Sequence, residues 1–324
     1  MSRPLQRPFW IGAIALFALG SGVLAQEQSS PTADNLFQMG QSRLSLGKYQ
    51  DAESAFRRLA EIEPDKSRGI IGIAQVYMSE KREDEALRFL QSETQKTPAR
   101  MDLHFAIGNV AQVLGKYDLA ISEFMLVLER IDKDSPVTAE VYFHLGDTYR
   151  RKGDLDFAID LYQKAQKLMP SNPIITNAVA FALESAGRRE AAEAEYRKLI
   201  AADPKNALAM NNLAFLLADG GTDLAMALAY AHRARQLVPN ETSFADTLGW
   251  VYFKMNNAED AVAIFREIVQ KDPARAVYHY HLAAALDQKG ELAEARKELQ
   301  IALKNNPSKE DEQKIQELLQ KVGQ

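Results

Sequence analysis

The sequence predicts an all-α solenoid of stacked helix pairs, on three observations. A small residue recurs as Gly40, Ala74, Gly108, Gly146, Ala180, Ala214, Gly249 and Ala283, at 34-residue steps apart from one of 38 and one of 35. An alanine keeps the same rhythm at Ala52, Ala86, Ala120, Ala158, Ala192, Ala227, Ala261 and Ala295. A proline closes the unit at Pro64, Pro98, Pro170, Pro204, Pro239, Pro273 and Pro307. Three residue series with one period mark a unit too short to bury its own apolar face, which must stack on copies of itself.

The stretch from Thr242 to Arg275 shows the unit most plainly. Leu248, Gly249 and Tyr252 fall on one face of a first helix, and Ala261, Phe265 and Ile268 on one face of a second. These are the three-and-four spacings of helices with one buried stripe. Gly249 and Ala261 let the two backbones approach, Tyr252 and Phe265 fill the space beside them, and Asn256-Asn257 stand where the chain must turn. The pattern resembles the tetratricopeptide repeat (TPR) family, whose repeat is a 34-residue helix pair, over roughly Ala33 to Lys309. The resemblance implies a right-handed superhelix of about eight repeats. It also implies that the first helices line a concave groove that takes protein or peptide partners.

Taken in order, residues 1–25 read as a signal peptide. Arg3 and Arg7 precede an apolar run, Phe9 to Leu19, and then Gly20-Ser21-Gly22 and Val23-Leu24-Ala25. Cleavage after Ala25 is expected; an uncleaved anchor is the alternative, since Phe9 to Ala25 is uncharged and near the lower limit for crossing a bilayer. The absence of cysteine rules out a lipid anchor on a cysteine after that site. Either way the repeats are expected outside the cytoplasm, in a bacterial periplasm. Residues 26–32 are a polar linker, and 33–134 hold the first three repeats, beginning at Ala33, Ser67 and Met101. Residues 135–138 are an insertion, through which Pro136 argues against a helix. Residues 139–309 hold repeats four to eight, beginning at Ala139, Pro173, Ala207, Thr242 and Ala276, the sixth longer by one residue near Asp219-Gly220-Gly221. Residues 310–324 form a capping helix with Ile315, Leu318, Leu319 and Val322 on one face, because a solenoid's last repeat exposes its stacking surface.

Composition excludes several kinds of chemistry. A net charge of -5 argues against a phosphate-binding surface, so no nucleic-acid partner is expected. Without cysteine there is no disulfide framework, thiolate metal site or cysteine nucleophile. The histidines are His104, His144, His232, His279 and His281, and none pair at the i, i+4 spacing of a helical metal site. His104 is expected to face the neighbouring helix. Gly220-Gly221 lacks the lysine and spacing of a phosphate loop. No catalytic residue, metal or cofactor is expected.

The TPR pattern implies that positions two, five, nine, twelve and thirteen of each repeat point into the groove. Position five carries Phe37, Ile71, Phe105, Phe143, Asn177, Asn211, Asp246 and Tyr280; position nine carries Gln41, Gln75, Asn109, Asp147, Phe181, Phe215, Trp250 and Ala284. Two features stand out. Phe181, Phe215 and Trp250 form an aromatic ladder with Phe253 nearby, and Asn177, Asn211 and Asp246 set a polar rung before each. An Asn amide both donates to and accepts from a peptide backbone, and an aromatic supplies large apolar contact at low entropy cost. Phe105 and Phe143 join the candidate groove residues. The competing expectation is that all these rings pack against the next repeat's helix.

The leading function is therefore a non-enzymatic scaffold in a bacterial envelope assembly for secretion, polysaccharide export or outer-membrane biogenesis, with a protein or peptide partner in the groove. The resemblance to exported bacterial TPR proteins implies that class. A periplasmic holdase for exported proteins is the alternative. A catalytic domain has no room beside the repeats, and a membrane partner is expected only if the N-terminal segment stays uncleaved. Arg68, Arg150, Arg151 and Lys254 are the basic groove residues, and they do not recreate the carboxylate clamp of chaperone adaptors. Arg150-Arg151 could face an acidic partner segment, although a solvated helix end is the plainer expectation.

Overall fold

The computed structural model describes residues 31–323, so the expected signal peptide and most of the expected linker lie outside the described residues. The described residues fall into two compact units, one up to Ile175 and one from Thr176. The first holds α1 (Pro31–Ser45), α2 (Tyr49–Ile62), α3 (Arg68–Ser79), α4 (Glu83–Lys96), α5 (Met101–Val113), α6 (Tyr117–Arg130), α7 (Pro136–Lys152) and α8 (Leu155–Leu168). Helix α9 (Pro173–Ser185) contains the division. The second unit continues with α10 (Arg189–Ala202), α11 (Ala207–Gly220), α12 (Leu224–Leu237), α13 (Thr242–Lys254), α14 (Ala258–Lys271), α15 (Ala276–Lys289), α16 (Leu292–Lys304) and α17 (Lys309–Lys321). No strand occurs among the described residues. The protein is an all-α solenoid in which each repeat supplies two helices and α17 stands last. Successive helices pack on one another from α1 to α8 and from α10 to α17, and first helices also meet: α1 with α3, α3 with α5, α5 with α7, α11 with α13, and α13 with α15.

The helix pairs close on a small residue set against a large one. A methyl built on Gly40, Gly108 or Gly249 would lie 2.5, 2.6 or 2.6 Å from the ring of Phe56, Phe124 or Phe265. On Gly146 it would lie 2.9 Å from Tyr162. In each repeat the small residue is at position eight and its partner lies one helix later at position 24. Where position eight is alanine, as at Ala74, Ala180 and Ala283, position 24 is Leu90, Tyr196 and Leu299. All of these position-24 residues are buried. Glycine is thus always met by a ring, while alanine is met by leucine or tyrosine, as a close-packed interior with varied side chains allows.

The turn between the two helices is fixed just as tightly. The fifteenth residue of all eight repeats takes a left-handed backbone, glycine in six of them, with Lys81 at φ 58° and Asn256 at φ 59° in the others. Asn256 therefore turns the chain as its sequence position suggests, and Asn tolerates this region better than most residues.

The expectation that Pro136 keeps 135–138 out of a helix is corrected. Pro136 opens α7, with Ser135 as N-cap, its Oγ accepting from the Thr138 amide at 3.2 Å. A proline at the first helical position has no amide to satisfy and a preset φ, so it starts a helix rather than breaking one. The four extra residues add about one turn, making α7 17 residues against 14 in α8, and Val137, Thr138 and Ala139 are buried. The helix at the front is similarly longer than expected: α1 begins at Pro31, inside the expected linker. At the other end, Ser308 caps α17, and Ile315 and Val322 are buried against Leu286, Leu299 and Ala302, with Leu318 and Leu319 packed at the edge.

Two measurements test this packing. Gly249→Ala should destabilise by ~1–3 kcal/mol through overpacking on Phe265, outweighing the ~1 kcal/mol that alanine gains in a helix, and adding Phe265→Leu should recover part of the loss in urea titrations. Lys81→Gly should stabilise by ~1 kcal/mol, because it removes a left-handed non-glycine residue; an unchanged or lower urea midpoint would contradict the strain.

Candidate functional site

In the C-terminal unit the fifth and ninth residues of consecutive first helices lie on one face. Asn177, Phe181, Phe215, Trp250 and Phe253 are half-buried, while Asn211 and Asp246 are buried. The amides form a chain: Asn212 Nδ2 donates to Asn177 Oδ1 at 3.3 Å, and Asn211 Nδ2 lies 3.5 Å from Asn212 Oδ1. Asn212, at position six, belongs to this network although its sequence position did not single it out.

Asp246 does not stand as an open rung. His281 of the next repeat donates from Nδ1 to Asp246 Oδ1 at 2.7 Å, and both side chains are buried. The same imidazole lies 4.6 Å from the Trp250 ring and 5.5 Å from Phe265. Trp250 is further stacked on Phe253 at 4.9 Å, with Lys254 Nζ 5.2 Å from its centroid. The indole thus contacts the next repeat, as the packing expectation has it, yet its Nε1 is buried without a hydrogen-bond partner. Asn211 Oδ1 is buried and unpartnered as well. One orphan acceptor and one orphan donor therefore stand at positions five and nine of consecutive first helices.

In the N-terminal unit Phe105 and Phe143 are half-buried and mainly engaged with other rings. Phe105 lies 5.5 Å from Phe124 and Phe143 5.6 Å from Tyr162, and both rings meet His144, at 5.1 and 5.6 Å. The ninth residues Gln41 and Gln75 are hydrogen-bonded at 3.1 Å. Arg150 and Arg151, considered for an acidic partner, both hold Asp147, at 2.5 and 2.7 Å. Burial alone would raise the Asp147 carboxyl, but the two guanidinium groups bring it below its ordinary value.

The histidines are structural in two repeats. His104 Nδ1 lies 2.6 Å from Glu123 Oε2 and its Nε2 3.2 Å from the Pro98 carbonyl. His279 repeats this with Glu298 at 2.6 Å and Pro273 at 2.9 Å. His104 therefore faces its neighbouring helix, as its position suggests. Burial alone would lower the His279 pKa, but the hydrogen bonds to Glu298 and Pro273 and the Glu298 charge raise it overall. Among the described residues no group of three His, Asp or Glu side chains is placed to hold a metal ion, and no helix is long and apolar enough to cross a membrane.

Sequence position alone did not reveal that position six joins one repeat to the next. His144 and His281 occupy it in repeats four and eight and pack on the position-24 rings Phe124 and Phe265. What differs is the preceding repeat's position five, Phe105 in one case and Asp246 in the other.

Stacked helix pairs that present a periodic face of amides and rings define a helical-repeat interaction scaffold. The tetratricopeptide repeat pattern is matched over residues 43–100, 99–171, 177–206 and 247–310. The chain belongs to the tetratricopeptide repeat family. It is 32% identical over 85 residues to a TPR repeat-containing protein of Pseudomonas aeruginosa, covering 26% of this chain and 14% of that protein. It is 33% identical over 130 residues to cellulose synthase 1 operon protein C of Komagataeibacter xylinus, covering 39% of this chain and 10% of that protein. The chain thus spans a small part of the curated relatives it matches. Among solved structures, the Cut9–Hcn1 hetero-tetramer of the APC/C is similar with a TM-score of 0.63 at 16% identity, over 95% of this chain and 58% of that one. At that identity the likeness concerns the fold alone.

The His279 contacts carry a pH test. Because its folded pKa is raised above the ordinary 6.5, its stabilisation is full below pH 6.5 and is lost as pH rises through the folded value. The stability difference between wild type and His279→Gln, from urea titrations, should shrink from pH 6 to pH 9; a constant difference would show that the imidazole is not charged in the native state.

Proposed function

We propose that the chain is a non-enzymatic scaffold of the bacterial cell envelope that holds an extended segment of a partner protein along the concave first-helix face of its C-terminal unit. The observation that carries this is the pair of buried, unpartnered atoms of opposite character, the Asn211 Oδ1 acceptor and the Trp250 Nε1 donor. A buried polar group without a partner costs free energy, and a peptide backbone offers a donor and an acceptor at each residue. Phe181, Phe215 and Phe253 supply apolar contact beside them, and Asn177 supplies a further amide. Asp246 serves this face indirectly, by fixing His281 against Trp250.

The envelope setting is supported by the export features of residues 1–25, with their basic start, apolar run and Val23-Leu24-Ala25. The partial similarity to a cellulose synthase operon protein points the same way and, among the assemblies considered, towards polysaccharide export.

A crosslinking pull-down from the native envelope tests the reading, comparing wild type with a Phe181/Phe215/Trp250 triple-alanine variant. One or two partners recovered by wild type and lost by a still-helical variant are expected. A broad set of exported proteins would instead indicate a holdase, and identical partners would show that the rings only pack. With the partner in hand, Trp250→Ala should weaken binding by ~2 kcal/mol or more. Leu248→Ala, by contrast, removes a buried side chain and should cost ~2–5 kcal/mol of stability. Equal loss of folding in the two variants would defeat the assignment.

A further inference from the structure

The second residues of the first four repeats form a ladder of charge in the N-terminal unit. Arg68 donates from Nη1 to Asp34 at 2.7 Å, joining repeats two and one. Asp102 of repeat three accepts from Ser67 Oγ at 3.0 Å. The next rung is Glu140 on α7, and nothing answers it. Its Oε1 is buried without a hydrogen-bond partner. Burial pushes its carboxyl up to about 7, with no neighbouring charge contributing. The ladder thus runs negative, positive, negative, and ends on a carboxyl that no cation holds ionised.

One turn along α7, His144 Nε2 is also buried and unpartnered. Burial lowers this imidazole to about 4, so at neutral pH it is uncharged and one ring nitrogen is an acceptor. Its equivalent His281 is hydrogen-bonded to a carboxylate, Asp246, whereas His144 has the Phe105 and Phe143 rings against it and feels Asp147 and Arg151 only as opposing charges. Residues three and four apart on a helix share a face, so Glu140, Phe143 and His144 lie on one patch with Phe105 against it.

We propose that Glu140, His144 and the Phe105 and Phe143 rings form a subsite for a lysine side chain of the partner protein. The proposal deepens the scaffold reading and rests on it, adding a contact in the other unit. A carboxylate in a partly desolvated place selects a cation, aromatic faces attract one, and an unpaired imidazole nitrogen accepts an N–H. An ammonium has three separately directed donors, enough for Glu140 and Nε2 together. A guanidinium is best held by both oxygens of a carboxylate in a planar fork, whereas an ammonium is a compact point charge that one oxygen and one ring nitrogen can share.

The test needs no known partner. The full chain is titrated by NMR with the capped tripeptide Gly-Lys-Gly and with its norleucine and arginine counterparts. Saturable binding of the lysine probe is expected, with shifts centred on Glu140 and His144, and at least tenfold weaker binding of the other two. Glu140→Gln should weaken the lysine probe at least tenfold without lowering the melting temperature, because it removes a buried charge and keeps the shape. Glu129→Gln, at an exposed position on α6, should bind as wild type does. Equal binding of lysine and norleucine, equal binding of lysine and arginine, or full affinity in Glu140→Gln would overturn the proposal. The probe comparison uses wild type alone, so it decides even where a variant misfolds. A positive result here with no partner in the envelope pull-down would separate the subsite from the envelope reading.

Discussion

The contact on which the structure depends is the small residue at position eight of each repeat against the large one at position 24. It sets how closely the two helices of a pair lie, and thereby where every other side chain of the repeat can reach. Where glycine stands, a phenylalanine or tyrosine ring presses onto the bare backbone; where alanine stands, the later residue is leucine after Ala74 and Ala283 and tyrosine after Ala180. The sixth repeat departs furthest, with Ala214 buried and Ala227, Ala231 and Ala234 buried in an alanine-rich second helix. The same spacing is met by different chemistry, which is why the period survives wide sequence variation.

On that frame the first helices carry two kinds of polar business. Some groups satisfy one another between repeats, as Gln41 with Gln75, Gln112 with Thr148 and Asp246 with His281. Others are left over: Asn211 Oδ1 and Trp250 Nε1 in one unit, and Arg68 Nη2, Asn109 Oδ1, Glu140 Oε1 and His144 Nε2 in the other. Native proteins leave few buried polar atoms unpaired, so each that remains calls for an explanation, and the proposed partner contacts supply one for four of them. Glu140→Gln should separate the two uses of such an atom, because a group kept for a partner lowers the stability of the free protein while it waits.

Most of the fold was legible in the sequence because a helix pair has a strict period, and eight copies of it average out local exceptions. Pro136 was misread for a definite reason: a proline's effect depends on its place in the helix, and the first position tolerates what the interior does not. The face was legible only in part. Positions five and nine can be counted from each repeat's start, which puts Asn211 and Trp250 among the candidates. That position six of one repeat meets position five of the one before cannot be counted; it follows from how successive first helices pack. For that reason Asp246 looked available when His281 holds it, and Glu140 and His144 went unnoticed.

The bonds that join one repeat to the next link residues about one period apart, as in Gln41–Gln75 at 34, Ser67–Asp102 at 35 and Gln112–Thr148 at 36. Such a chain never has to bring distant segments together. The entropy of loop closure is met in small instalments, and its size is the same for the last repeat as for the first. Low contact order of this kind goes with rapid folding. It also lets order spread to its neighbours from whichever pair forms first.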